Sequence, residues 1–418
     1  MKTTTFSFVI ALLVLHCRVC PAQDLESRIK ALEETLTAQQ RTIESQQLLI
    51  RELKEEMEKG SRFVSVPAAG DPKEARGPSE AASSDRQAPG AAGAVATGSK
   101  VFNPDISVVG DFVGTAGKGS LDASPALEMR EAEVAFQAAV DPYARADFFF
   151  TFGPDEVGLE EGYVTFLTLP AGLLVKAGKF RDAFGKVNGM HAHVLPWADR
   201  PLVTRNLLGG EDGLADAGVS VARLFPNRFA FLEVTGQLYR GESSVFKAEK
   251  RSDVAGVLHL RGYRDLNENT NLELGGSFAA GHNGLGPGLL TELFGVDATF
   301  RWRPLRRAIY QRFLARTELA WSRTELPHDT ARAFGAYAFA EYQLTRRWVA
   351  GIRADYAERA EDPTLSDRGG SLVLTYWPSE FSQIRGQFRH TRLGEGGTAD
   401  ELLLQVQFSI GAHGAHTF

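Results

Sequence analysis

The chain has 418 residues, a formal net charge of −6, 23% charged residues and two cysteines. No basic excess is available for nucleic acid, and no stretch of 18 apolar residues follows residue 22, so no helical membrane span is expected. Cys17 and Cys20 both fall in the first 22 residues; without that segment the chain has no disulfide, thiolate metal site or cysteine nucleophile.

Residues 1–22 read as a secretory signal. Lys2 gives the positive start, Phe6 to Leu15 an apolar run too short to span a bilayer, and Cys20-Pro21-Ala22 a small-x-Ala cleavage site. Residues 23–59 carry an unbroken heptad. Leu25, Ile29, Leu32, Leu36, Gln39, Ile43, Gln46, Ile50, Leu53 and Met57 recur in steps of four and three, the pattern of an oligomerising coiled-coil seam. Gln39 and Gln46 lower its stability and fix its register; two and three strands both remain open. Residues 60–100, rich in Pro, Ala, Gly and Ser and without periodicity, read as a flexible disordered linker.

From residue 101 to 418 short alternating segments follow one another. Strands are expected near 105–114, 127–140, 143–152, 157–169, 172–181, 213–224, 228–239, 253–264, 270–281, 290–302, 309–323, 331–343, 346–357, 368–377, 381–392 and 400–411. A period of two gives each strand one apolar and one polar face. In the last of them Leu402, Leu404, Val406, Phe408 and Ile410 oppose Gln405, Gln407 and Ser409. In another, Ile384, Gly386 and Phe388 oppose Gln383, Arg385, Gln387 and Arg389. The expected fold is an all-β transmembrane one: an antiparallel outer-membrane β-barrel of about sixteen strands, with lipid outside and a wet polar lumen, behind an N-terminal α-helical coiled coil. Connections alternate between short and long, which puts both barrel ends and the coiled coil in the periplasm. Trp302, Trp321, Trp348, Tyr342, Tyr356 and Trp377 near strand ends suit interfacial girdles, and the terminal Phe418 reads as a signal for the barrel-assembly machinery.

The longest connection, Asp182 to Asp212, holds Lys186, His191, His193, Trp197, Asp199, Arg200 and Arg205. A loop of this length either folds inward to narrow the pore or packs on a neighbouring subunit. The expected lumen wall carries Arg145, Arg261, Arg301, Arg312, Arg316, Arg353, Arg385 and Arg389, nearly balanced by Asp111, Glu131, Glu133, Asp147, Asp253, Asp297, Glu318 and Asp355. Such arginines either recognise anionic solutes through paired hydrogen bonds or pair across the lumen and stiffen it. His191-x-His193 and His413-x-x-His416 have metal-ligand spacing, but no cysteine and no third ligand accompanies them in sequence, so no metal or cofactor is expected. No G-x-S-x-G, H-E-x-x-H or phosphate-binding glycine loop occurs, so no enzyme is expected.

The stretches FNPDISVVGDF (102–112), EAEVAFQAAVDPYARADFFFTFG (131–153), LLVKAGKFRDAFGKVN (173–188) and QFSIGAHGAHTF (407–418) resemble the phosphate-selective porin (O and P type) superfamily. They also resemble related trimeric diffusion porins with an N-terminal coiled coil. The resemblance implies a passive outer-membrane porin for small hydrophilic solutes, anions among them, with membrane lipid, barrel-assembly machinery and two further copies of the chain as partners. Phosphate-selective members hold a lysine-rich pore; here the lysines after residue 100 are only Lys118, Lys176, Lys179, Lys186, Lys247 and Lys250. Some relatives in this branch carry a zinc-related receptor label, a second function the resemblance leaves open. A third, read from the coiled coil, is a structural anchor tethering the membrane to the cell wall.

Overall fold

The computed structural model describes residues 104–411 apart from 120, 122–124 and 154–156. The expected signal segment, the coiled-coil positions Leu25 to Met57, the linker, His413, His416 and Phe418 lie outside the described residues.

Sixteen strands follow in chain order: β1 (Asp105–Lys118), β2 (Leu127–Asp141), β3 (Ala144–Phe152), β4 (Val157–Phe166), β5 (Leu173–Arg181), β6 (Ala215–Leu224), β7 (Phe231–Tyr239), β8 (Ala255–Asn267), β9 (Thr270–His282), β10 (Leu290–Trp302), β11 (Phe313–Glu325), β12 (Thr330–Gln343), β13 (Trp348–Glu358), β14 (Ser366–Ser379), β15 (Ser382–Arg392) and β16 (Thr398–Gly411). Each pairs antiparallel with its chain neighbours, and β1 returns to β16, from Ser107 opposite Gly411 to Lys118 opposite Asp400. The result is a closed barrel in which no wall strand is left as an open edge.

Period-two sequence sorts the two faces. On β16 Leu402, Leu404, Phe408 and Ile410 are exposed outward, while Gln405 and Gln407 are buried inside. Leu260, Val296, Ile352, Leu372 and Phe388 continue the exposed apolar exterior around the wall. A soluble protein hides such residues; a barrel in hydrocarbon displays them. Two-residue turns at 142–143, 268–269 and 380–381 close one end. The segments 182–214 and 240–254 belong to the other.

Two late strand starts each take an expected lumen residue off the wall. β11 begins at Phe313, because Pro304 has no N–H to donate and the chain turns on itself there, with Arg307 N donating to Pro304 O and Tyr310 N to Arg307 O. Arg312 therefore lies in a connection and not on the wall. β8 begins at Ala255, leaving Asp253 in the preceding loop, where it accepts from Lys250 N at 3.0 Å.

Two bulges re-aim side chains that strict alternation would turn outward. β2 fits an extra residue, Arg130, against Asp111 and Phe112. β4 fits an extra residue, Glu160, against Phe149 and Phe150.

Segment 182–214 folds into the barrel and contains one 3-10 turn (Ala192–Val194) and one short helix, α1 (Leu202–Leu207). Its Phe184, Val187, Leu195, Trp197, Val203 and Leu207 share one buried cluster with the inward side chains Val257, Leu293, Tyr337, Phe339 and Val373. Trp197 meets Tyr337 and Phe339 edge-on, with centroids 5.4 and 4.6 Å apart. The wall is small where the loop presses. A Cβ on Gly295 would stand 2.9 Å from the Phe184 ring, and one on Gly335 would stand 2.8 Å from Val203. Part of the expected wet lumen is therefore a dry core: the loop replaces water as the surface against which those inward residues pack.

Candidate functional site

Three polar anchors hold the loop across the lumen. At the first, Asp199 accepts from Arg353 Nη2 on β13 and Arg389 Nη1 on β15, both at 2.8 Å, and its other oxygen accepts from Gln387 Nε2 at 2.6 Å. Burial works against the Asp199 charge, but the two guanidinium groups hold its carboxyl below the usual carboxylate range. Around it Ala198 N donates to Gln387 Oε1, and Arg385 Nη1 donates to the Trp197 carbonyl. Arg353 also lies over the Trp197 ring, 4.8 Å from its centroid.

At the second anchor, Lys186 Nζ pairs with Glu273 on β9 at 2.8 Å, and Arg261 and Arg301 reach the same carboxylate at 2.9 Å. Three cations thus surround one anion. Burial pulls the Lys186 ammonium below its ordinary range, with Glu273 opposing. Close by, Val187 N donates to Glu318, and a Cβ on Gly185 (φ +59) would run into the Glu318 carboxylate, so only glycine fits that turn.

The third anchor gathers His191 and His193 against β2 and β4. His191 Nδ1 is 2.6 Å from Glu133 Oε2, and Nε2 is 2.8 Å from Glu161 Oε2. His193 Nδ1 is 3.3 Å from Glu131 Oε1 and 3.7 Å from Glu133 Oε2. Glu160 pairs with Arg181, whose backbone N also donates to Glu161 at 2.7 Å. Burial disfavours the His191 cation, but the carboxylates of Glu133, Glu160 and Glu161 lift the imidazole well above its ordinary range.

Beneath the loop lies a cavity of about 590 Å³, roofed by Met190 and the segment His193 to Pro196. Its charged lining is Arg301, Arg303, Arg312, Arg316 and Arg385 against Glu341 and Glu380, a surplus of cations.

The residues singled out in the sequence are put to several uses. Lys186, His191, His193, Asp199, Arg353 and Arg389 bind loop to wall. Arg312, Arg316 and Arg385 line the cavity. Arg200 is turned into the loop itself, donating to the carbonyls of Val187 and Met190, and burial lowers it to about 10. Arg205, on α1, pairs with Glu211 beyond the helix at 2.7 Å, and Arg145 pairs with Asp147 at 2.8 Å. Four contributors escaped sequence reading. Arg130, which pairs with Asp111 and donates to the Ala198 carbonyl, and Glu160 depend on bulges. Glu161 follows Glu160 on the same strand. For Glu273 the alternation Leu272-Glu273-Leu274 offered a signal that could have found it.

No protein-family profile matches the chain. A protein of Aquifex aeolicus (strain VF5), described as uncharacterized, is 27% identical over 392 residues, covering 76% of this chain and 81% of the relative. Among solved structures, OprB of Pseudomonas putida has a TM-score of 0.53 at 10% identity, covering 74% of this chain and 94% of its own. The outer membrane channel DcaP of Acinetobacter baumannii has a TM-score of 0.50 at 10% identity, over 74% of this chain and 96% of its own. OmpT, an outer membrane protein of Vibrio cholerae solved in a trimer form, has a TM-score of 0.50 at 7% identity, over 73% and 99%. These likenesses are of fold.

Proposed function

We propose that the protein is a passive outer-membrane channel of the porin kind for small hydrophilic solutes, with anions preferred. The observation that carries this reading is the cation-rich cavity beneath a loop that crosses the lumen of a closed, apolar-sided barrel. Closure leaves no backbone polar group facing lipid. A low-dielectric wall focuses the field of the surplus arginines on whatever passes. The loop sets the size limit, pinned to the wall through Lys186 and Asp199 among others. DcaP, an outer membrane channel with the same fold, and OmpT, solved as a trimer, support a channel and a homotrimer by analogy. In this reading the heptad from Leu25 to Met57 joins the subunits below the membrane, and Phe418 engages the assembly machinery.

Purified protein in planar bilayers tests the channel. Steady conductance with a reversal potential set by the anion gradient supports it. A sealed bilayer supports the second reading, a membrane anchor, which the dry core between Trp197, Tyr337 and Phe339 favours. Deleting residues 24–59 and sizing the detergent particle tests the oligomer; an unchanged size removes the coiled coil from that role.

A further inference from the structure

We propose that Glu133, His191 and His193 bind one first-row transition-metal dication, which staples the inward loop to β2. This goes beyond the channel reading and does not depend on it. One ligand atom from each of the three residues lies within 4.8 Å of the others, and all three side chains are buried. Two imidazoles and a carboxylate form a ligand set for zinc and its neighbours, too nitrogen-rich for calcium or magnesium.

Three further observations point to a cation. First, His191 has the two-sided arrangement of a ligating imidazole. Nδ1 faces Glu133, and Nε2 faces the Glu161 carboxylate at 2.8 Å, the outer partner that fixes ring and tautomer. The Phe149 ring, 5.0 Å away, closes one side. Second, carboxylate oxygens of Glu131, Glu133 and Glu160 also lie within 4.8 Å of one another. With Glu161 they make four carboxylates, gathered around His191, His193 and Arg181. Carboxylates this close in a low dielectric require a shared cation or proton. Third, Glu160 Oε2 is buried and has no hydrogen-bond partner among the described residues. It stands 3.3 Å from His191 Nδ1, whose shorter contact is with Glu133. The bulge that turns Glu160 inward thus supplies an oxygen free to meet a metal. Glu131 and Glu160, the more exposed of the four at 16% and 13%, mark the side of entry.

Untagged full-length protein in detergent, stripped with chelator, is titrated with Zn2+ by calorimetry and with Co2+ by visible absorption. One equivalent of each per chain is expected, with Co2+ bands of a four- or five-coordinate site. Glu133→Gln and His193→Ala are each expected to weaken Zn2+ by at least about tenfold. Glu133→Gln keeps size and shape, so it reports binding even if His193→Ala loosens the loop. The double variant His413→Ala/His416→Ala should leave the titration unchanged. No Zn2+ bound beyond a detergent blank, equal affinity in Glu133→Gln, or loss confined to the His413/His416 variant would each overturn the proposal, the first leaving a proton on His191 as the shared cation.

Discussion

The Asp199 carboxylate of the inward loop lies 2.8 Å from the Arg389 guanidinium of β15, 190 positions later in the chain. Arg389 is also held by Glu401 on β16, with Nε 3.0 Å from the carboxylate. The loop is thereby tied to a strand pair that is already cross-braced. Asp199→Ala leaves Arg353 and Arg389 buried without their shared partner. Breaking a buried pair in this way costs about 3–5 kcal/mol. Release of the loop should raise single-channel conductance and admit larger sugars in liposome swelling; wild-type conductance and size cut-off in Asp199→Ala would show that the loop does not set the aperture.

Trp197 has no exposed surface and fills the space between Tyr337, Phe339 and Arg353. Trp197→Ala should cost about 3–5 kcal/mol locally. The barrel ladder is separate from this contact, so hydrogen exchange should accelerate in residues 195–208 and stay unchanged in β13 and β14.

Asp182, at the start of the loop, gives a pH dependence. Burial lifts its carboxyl to about 7; the Tyr239 hydroxyl opposes, Asp216 adds, and Arg181 opposes. The folded value lies above an unfolded value of about 3.9. The contribution to stability is therefore complete below about pH 4 and is lost as pH rises through 7, by no more than about 4 kcal/mol. Exchange protection of residues 182–190, corrected for intrinsic rate, should fall between pH 5 and pH 8. Asp182→Asn should remove that fall and raise protection at pH 8.

Arg303 and Arg312 lie at the mouth of the cavity, outside the strands. Converting both to glutamate changes the local charge by four units. Reversal potentials in a salt gradient should move toward cations by several-fold in permeability ratio at about 0.1 M salt and far less at about 1 M, where the screening length shrinks to about 3 Å. An unmoved ratio at low salt would remove these arginines from selectivity.

Much of the wall was legible because alternation is a local signal. Leu402, Leu404 and Phe408 declare their face without reference to any other strand. Arg130 and Glu160 were not legible, since a bulge depends on the partner strand and strict alternation would turn each side chain to the lipid side. The loop interior was legible only as length. Phe184, Leu195 and Trp197 follow no period, and what they bury against, Gly295 and Phe339 among others, belongs to distant strands. The His191 cluster shows the same limit: its carboxylates stand 58 and 30 positions upstream, so the pair His191-x-His193 had no visible third ligand.

The seam between β1 and β16 dictates an order of assembly. Gln405 Nε2 on the last strand donates to Asp111 Oδ1 on the first, 294 positions earlier. Until Thr398–Gly411 is delivered, the cylinder is a curled sheet with two bare edges, and contacts so remote in sequence form slowly. The inward loop precedes that strand in the chain, and its grips come from either side of the loop in sequence, β2 and β4 before and β13 and β15 after. Biogenesis therefore has a wrapping stage, and a chain truncated before Thr398 should stall there, with its ladder unpaired and open to degradation.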